Sequence, residues 1–562
     1  MKAEFLTDAP FPGWPEFTGE LLKFAPVDAL WHIQNIIVGL CEQTDGIFLG
    51  VAPVYPTNVH VVIREYVAKL PEPPLPAPSA IDRKTFYPML TRSCRQINRI
   101  RNQHPALNST LILSGNARYE QHFRKLWFHH LEQYGMNWSP KYEMARSQRM
   151  FSEIWAELSG SGKVKLKSHT STSFLDGSYR LLLSLGLWRH GGRVDDVREL
   201  MSKSGLGEAQ LRPMLETSCL PLSKVQDALA KSPKYPNSID NFFYRYPLIR
   251  TGEWSVVAPM PNLILQGWDL QNLFEGLECA RGNAADDRGG VEYYRALGVV
   301  YEAYVKELLA ELVKHSADSS LLHPFKYKAK TQVDSPDGFI IGKTGTLAFE
   351  AKCYRVPHSA YEDVLLPGFL SWFANLLGTN DKGRKPMAQG ASFFEEYQKN
   401  NADLAGKLPP FDMSKILYII VSYDDLPMFS HWSIFRRWYK SQHLEAHTHD
   451  LWAKTLVISI RELEVLVAAA QSAGQTGGPP TPFDPFLILK EYSKYCQDEP
   501  DVDPVNGFKN SLRNWLLEKY PASGVSMPSI LSEANRRLFD RAIELGFPES
   551  SELAAEHREP AV

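Results

Sequence analysis

Between residues 78 and 236 apolar side chains recur three and four positions apart, the period of helices with one buried face. Phe123, Leu126, Trp127, Leu131 and Tyr134 make the clearest stripe. Three short amphipathic pieces follow within residues 193–235: DDVRELMSKSG, EAQLRPMLETS and LSKVQDALAKS. Their size matches a helix-turn-helix or winged-helix unit, although a plain helical subdomain is the simpler expectation. Residues 242–261 carry β-rich runs on either side of Gly252 and predict a hairpin. The next stretch, NLILQGWDLQNLFEGLECA, returns to helical spacing. From Val291 the pattern becomes helix, three strands, helix and two strands, which predicts an α/β domain. The apolar block at 416–421 has the length of a buried strand. Residues 486–562 read as helical, ending in a polar tail.

A chain of 562 residues exceeds what one hydrophobic core supports, so several domains are expected. Two Pro- and Gly-rich stretches mark the boundaries. PEPPLPAP, within a linker at 71–81, predicts an extended spacer. GQTGGPPTPFDP predicts a second linker at 471–485. The expected division is an N-terminal α/β or helical segment at 1–70, a mainly helical domain at 82–290, an α/β domain at 291–470 and a helical region at 486–562. The loop RGNAADDRGG precedes the α/β domain.

The net charge of −3 gives no global attraction for polyanions, so any nucleic-acid contact must come from a local basic face. The six cysteines show no CxxC pair, which argues against a zinc ribbon or redox pair and fits a reducing, cytoplasmic setting. No stretch has the length and apolarity of a membrane span, and the N-terminus lacks the pattern of a signal peptide.

The chemistry concentrates in TQVDSPDGFIIGKTGTLAFEAKCYR, residues 331–355. In a strand, side chains two apart share a face, so Glu350 and Lys352 point one way while Leu347, Phe349 and Ala351 point the other. A Glu and a Lys on an internal strand are costly to bury unless paired or metal-bound. A hairpin turning at residues 343–345 brings Asp337 back beside Glu350. Two hard carboxylates together suit Mg²⁺ or Mn²⁺, and a neighbouring Lys can orient water or offset developing charge.

These residues resemble the PD-(D/E)xK nuclease superfamily. Pro336-Asp337 matches its PD element, and Glu350-Ala351-Lys352 matches its (D/E)xK element. The resemblance spans residues 291–470 and implies a restriction-endonuclease-like mixed sheet flanked by helices. It implies Asp337, Glu350 and Lys352 as catalytic residues, with metal held by Asp337, Glu350 and the Ala351 carbonyl. The family's helix before the sheet commonly carries a Glu, which places Glu302 as a further ligand. Gln389 falls on the helix after the motif, within reach of nucleic acid. KILYIIVSYDD and KTLVISIRELEVL read as the last two core strands. The implied activity is metal-dependent hydrolysis of nucleic acid, DNA before RNA. The implied setting is a bacterial restriction or anti-phage effector acting as an oligomer or with a partner subunit.

Lys326, Lys328 and Lys330 alternate along a strand expected to lead into the site, where they would meet backbone phosphates. Other basic clusters stand at Arg92, Arg95, Arg99 and Arg101, at Lys163, Lys165 and Lys167, and at Arg436, Arg437 and Lys440. The turn GKTG lacks the upstream glycine of a phosphate-binding loop. His443, His447 and His449 lack a Cys or carboxylate partner at diagnostic spacing, so a solvated helix end is expected. The competing functional readings are a non-catalytic nucleic-acid-binding or scaffold subunit and an RNA-directed nuclease.

Overall fold

A computed structural model of the chain describes residues 20–42, 56–103, 140–161, 190–202, 207–231, 242–261, 288–316, 318–329, 332–353, 386–426, 453–473 and 483–498, with isolated positions between them. The N-terminal segment is helical where described: α1 (Pro26–Glu42) packs on α2 (Pro56–Ala68), and α2 on α3 (Arg83–Gln103). The Pro-rich stretch is extended, as its composition predicts, but it is docked. Arg193 donates to the carbonyls of Leu75 and Pro76, and Asp28 accepts from the Ser79 amide. Helix α4 (Pro140–Ser161) follows. Of the stripe at 123–134, residues 122–124 are described and helical, with Phe123 buried; the rest lies outside the described residues.

The short amphipathic pieces and the hairpin form one unit. Strand β1 (Arg193–Val194) leads to a helical turn at Val197–Leu200 and then to α5 (Glu208–Ser218), β2 (Leu220–Pro221) and α6 (Leu222–Lys231). Strands β3 (Ile249–Arg250) and β4 (Val256–Val257) pair antiparallel about the Gly252 turn, and the sheet order is β1-β4-β3-β2. The hairpin is shorter than the sequence pattern suggests. Phe242–Arg245 is a helical turn, because its aromatics are claimed by α2: Phe243 meets the His60 ring edge-on, and Arg64 lies over Phe242.

The second half is built around helix α7 (Arg288–Lys314) and a five-stranded sheet. The strands are β5 (Ser320–Leu322), the pair β6 (Lys326–Lys328) and β7 (Gln332–Asp334), then β8 (Gly338–Ile341) and β9 (Thr346–Lys352). Helix α8 (Pro386–Gln398) follows, then β10 (Ile416–Ser422), β11 (Thr455–Ser459), α9 (Ile460–Ala473) and α10 (Pro485–Asp498). The sheet order is β11-β10-β9-β8-β5, while β6 and β7 make a separate two-stranded ribbon. Five strands thus precede α8 where the pattern predicts three. Strands β9, β10 and β11 run parallel, and β8 and β5 join antiparallel. This is a mixed α/β sheet with helices on both faces. Among the described residues no helix is long and apolar enough to cross a membrane.

The last predicted strand ends early. KTLVISI leaves the sheet at Ser459, where the Glu462 carboxylate accepts from the Ser459 amide and the Ser459 hydroxyl accepts from the Glu462 amide. That reciprocal pair is a capping box, so IRELEVL continues as helix α9. Beyond the second linker, α10 seats on the β8–β9 turn. Asp484 accepts from Thr344, and the Phe486 ring lies so close over Gly345 that any Cβ there would collide with it.

Helices α7 and α9 pack together on one face of the sheet, and α4 packs on α7. A buried polar knot fastens these three helices. Arg146 of α4 grips Glu464 of α9 through two bonds of 2.6 Å, and the Tyr304 hydroxyl of α7 donates to the same carboxylate at 2.7 Å. Both charged side chains are almost fully buried. Glu464→Gln is expected to lower unfolding free energy by roughly 3–5 kcal/mol in urea titrations, because it strands the Arg146 charge. The joint replacement Arg146→Met and Glu464→Leu should cost far less.

Candidate active site

Glu350 sits on the central strand because β9 is buried along almost its whole length. Its neighbours are fixed by register: Ile420 beside it in β10, and Gly338 opposite Phe349 in β8. Continuing that antiparallel register by one residue sets Asp337 opposite Glu350. The turn that does this closes with the Gly342 amide bonded to the Gly345 carbonyl at 3.0 Å. Phe339 lies opposite Ala348 and packs on Phe393 of α8. Directly opposed residues share a face, so Glu350 and Lys352 lie on the α8 face and Leu347, Phe349 and Ala351 on the α7 face.

The carboxylates are held differently. Asp337 Oδ2 accepts a hydrogen bond from the Ala351 amide at 2.8 Å, which fixes it against β9. Glu350 is fully buried, and neither of its oxygens accepts a well-directed hydrogen bond. Lys352 Nζ lies 2.5 Å from Glu350 Oε1, a contact of charge. Burial, followed by the Asp337 charge, pushes the Glu350 carboxyl up to about 8, against the pull of Lys352. Burial also raises Asp337, opposed by Lys352 and the Ala351 amide. Burial by itself would lower Lys352, but the charges of Glu350, Asp337 and Glu302 outweigh it and raise the ammonium.

Glu302 is half-buried on α7, and its carboxyl is raised by burial and then by Asp337. It belongs to the charge environment of the pair. It does not complete a metal cage, since among the described residues no three His, Cys, Asp or Glu side chains gather closely enough to hold an ion. The donor set nonetheless fits a hard cation. Mg²⁺ commonly takes one or two carboxylates and completes its shell with water, and the buried oxygens of Glu350 have no hydrogen bond to give up. Asp337 and Glu350 are the carboxylates that could hold it, with the Ala351 carbonyl as the further oxygen the resemblance implies.

The basic strand is placed otherwise than its alternation suggests. Strand β6 pairs with β7 so that Lys326 faces Asp334 and Lys328 faces Gln332. The chain therefore runs away from the site along β6 and returns along β7. Lys326 is the nearer end, 3.7 Å from Asp334, while Lys328 is exposed farther out. Lys330 lies outside the described residues, as do the three histidines at 443–449 and the clusters at 163–167 and 436–440. Arg92 and Arg95 are exposed on α3. Gln389 is half-buried on α8 and makes no side-chain hydrogen bond among the described residues. Sequence reasoning passed over Lys306 and Asp334, whose charges both act on Asp337 and Glu302. The one available signal for Lys306 was its spacing of four from Glu302 on a helix.

No known protein family, curated protein or solved structure matches the chain.

The raised Glu350 carboxyl makes metal-free stability depend on pH. Between its ordinary value of 4.5 and about 8 the folded protein keeps a proton that the unfolded chain has lost. Stability contributed below 4.5 is therefore lost as pH rises through that window. Wild-type unfolding free energy in EDTA should fall by roughly 2–4 kcal/mol from pH 5 to 8. Glu350→Gln should flatten most of that slope; Asp337, shifted the same way, supplies the remainder. A wild-type slope of zero, or an unchanged slope in the variant, would contradict this assignment.

Proposed function

We propose that this chain is a metal-dependent nuclease of the PD-(D/E)xK kind, hydrolysing phosphodiester bonds of nucleic acid, with DNA as the expected substrate. The observation that carries the reading is the fully buried Glu350 carboxyl, which lies beside Asp337 and has the Lys352 ammonium against one oxygen. Desolvating a charge in this way is expensive and is tolerated where a ligand cation compensates it. The αβ order supports the reading: a helix bearing Glu302, a β-hairpin bearing both acidic elements, a covering helix and two further parallel strands.

Bound Mg²⁺ or Mn²⁺ supplies Lewis-acid polarisation of the phosphate and a lowered pKa for attacking water. Asp337, fixed by the Ala351 amide, presents its other oxygen at a set angle. Glu350 contributes charge from a site that excludes water. Lys352 lies against Glu350 in the free protein, and its largely buried side chain would orient the nucleophilic water or meet charge on the phosphate. Service in bacterial restriction or anti-phage defence, alone or with a partner subunit, belongs to the same proposal.

One observation favours a second reading. The Glu350–Lys352 contact satisfies the pair's charge without metal, as a scaffold would require. The discriminating experiment incubates the full chain with supercoiled and linear DNA, single-stranded DNA and structured RNA, in Mg²⁺, Mn²⁺ or EDTA. DNA cleavage that EDTA stops, and that Asp337→Ala, Glu350→Ala and Lys352→Ala each lower by about 10²-fold or more, is the expected result. Cleavage of RNA alone would redirect the substrate. Inertness throughout, with Mn²⁺ leaving the melting temperature at pH 8 unchanged, would favour the scaffold.

A further inference from the structure

The geometry points to Lys306 as a substrate-phosphate contact, separate from Lys352, at the flank of the Asp337–Glu350 pair. It rests on the nuclease reading above. Two contacts fix its level along α7. The Tyr301 hydroxyl donates to the Val421 carbonyl at 3.1 Å, and Val421 stands beside Ala351 in the sheet register. Two turns on, Leu309 covers Gly338, its Cδ1 3.2 Å from where a Cβ would stand. Lys306 falls between these anchors on the α7 side of the sheet, level with the short segment that carries Asp337 and Glu350, and its charge acts on Asp337 and Glu302.

Its chemical state sets it apart from the other cations of the site. Lys352 is held on Glu350, and Lys326 faces Asp334. Lys306 is half-buried and makes no hydrogen bond or ion pair among the described residues, although Glu302 lies one helical turn before it. Its stem is half-buried, and among the described residues no carboxylate holds its ammonium in direct contact. A phosphodiester entering a site with Asp337, Glu350, Glu302 and Asp334 nearby meets net repulsion unless a cation faces it. On the N-terminal side the helix is open: Val299 is 47% exposed, and no described atom lies within 4 Å of where a Gly298 Cβ would be.

The test uses the full chain and a fluorescein-labelled DNA duplex, with binding measured across several salt concentrations in the Asp337→Ala background. Lys306→Gln should flatten the slope of log affinity against log salt by about one unit, the loss of one phosphate contact. Lys306→Arg should restore it. Lys314→Gln, at an exposed lysine of the same helix paired with Glu311, should leave it unchanged. In the otherwise wild-type enzyme Lys306→Gln should raise KM more than it lowers kcat, with the melting temperature preserved. A Lys306→Gln slope equal to that of the parent overturns the proposal whether or not the wild type cleaves. A flattened slope in a protein that cleaves nothing keeps Lys306 as a binding contact and rejects catalysis instead.

Discussion

A carboxylate in the middle of a five-stranded sheet sets the terms for the surrounding residues. Glu350 cannot reach water, and neither oxygen accepts a well-directed hydrogen bond. The groups around it answer that charge by other means. Lys352 arrives because it lies two residues further along the same strand, and Asp337 because the hairpin register delivers it. The two acids repel each other and the ammonium attracts both, so the metal-free site is a balance of desolvation against Coulomb attraction. Such a balance is costly for a purely structural element and useful for binding a cation.

Holding charges at that spacing demands a stiff frame. The parallel register of β9 with β10 and the antiparallel register with β8 fix Glu350 on both sides. On the α8 face the helix comes close because Gly390 has no side chain; a Cβ there would stand 2.7 Å from the Tyr418 ring. On the other face, α7 is pinned to β10 through Tyr301 and to α4 and α9 through the Arg146–Glu464–Tyr304 knot. The helix that carries Glu302 and Lys306 is thus anchored both to the sheet and to the N-terminal half of the chain. That knot ties α4 of the N-terminal half to the helix that bears Glu302.

On the proposed nuclease reading, a chain with a net charge of −3 must meet a polyanion through the residues flanking the site. Alternating lysines on a strand look like a binding face in sequence, yet β6 folds back as a ribbon and spends Lys326 on Asp334. Lys306, a single lysine in the sequence between Val305 and Glu307, is one whose charge acts on Asp337. Position in the fold, rather than local charge density, decides which cation is available.

The sequence by itself determined the hairpin, its turn, the shared face of Glu350 and Lys352, and the return of Asp337, because two-residue periodicity and a short glycine-flanked turn are local properties. It also determined the helix before the sheet, the helix after the hairpin and the buried character of 416–421. Only the tertiary structure decided the rest. IRELEVL became helix through a capping box that strand-like hydrophobicity concealed, and Phe242–Arg245 became a helical turn because α2 claimed its aromatics. The proline-rich stretch docks through Arg193, which lies more than a hundred residues away in the chain. Whether Glu302 and Lys306 face the acids depended on where α7 crosses the sheet. That crossing is set by side-chain packing at Tyr301 and Leu309, contacts between residues far apart in sequence that no local pattern records.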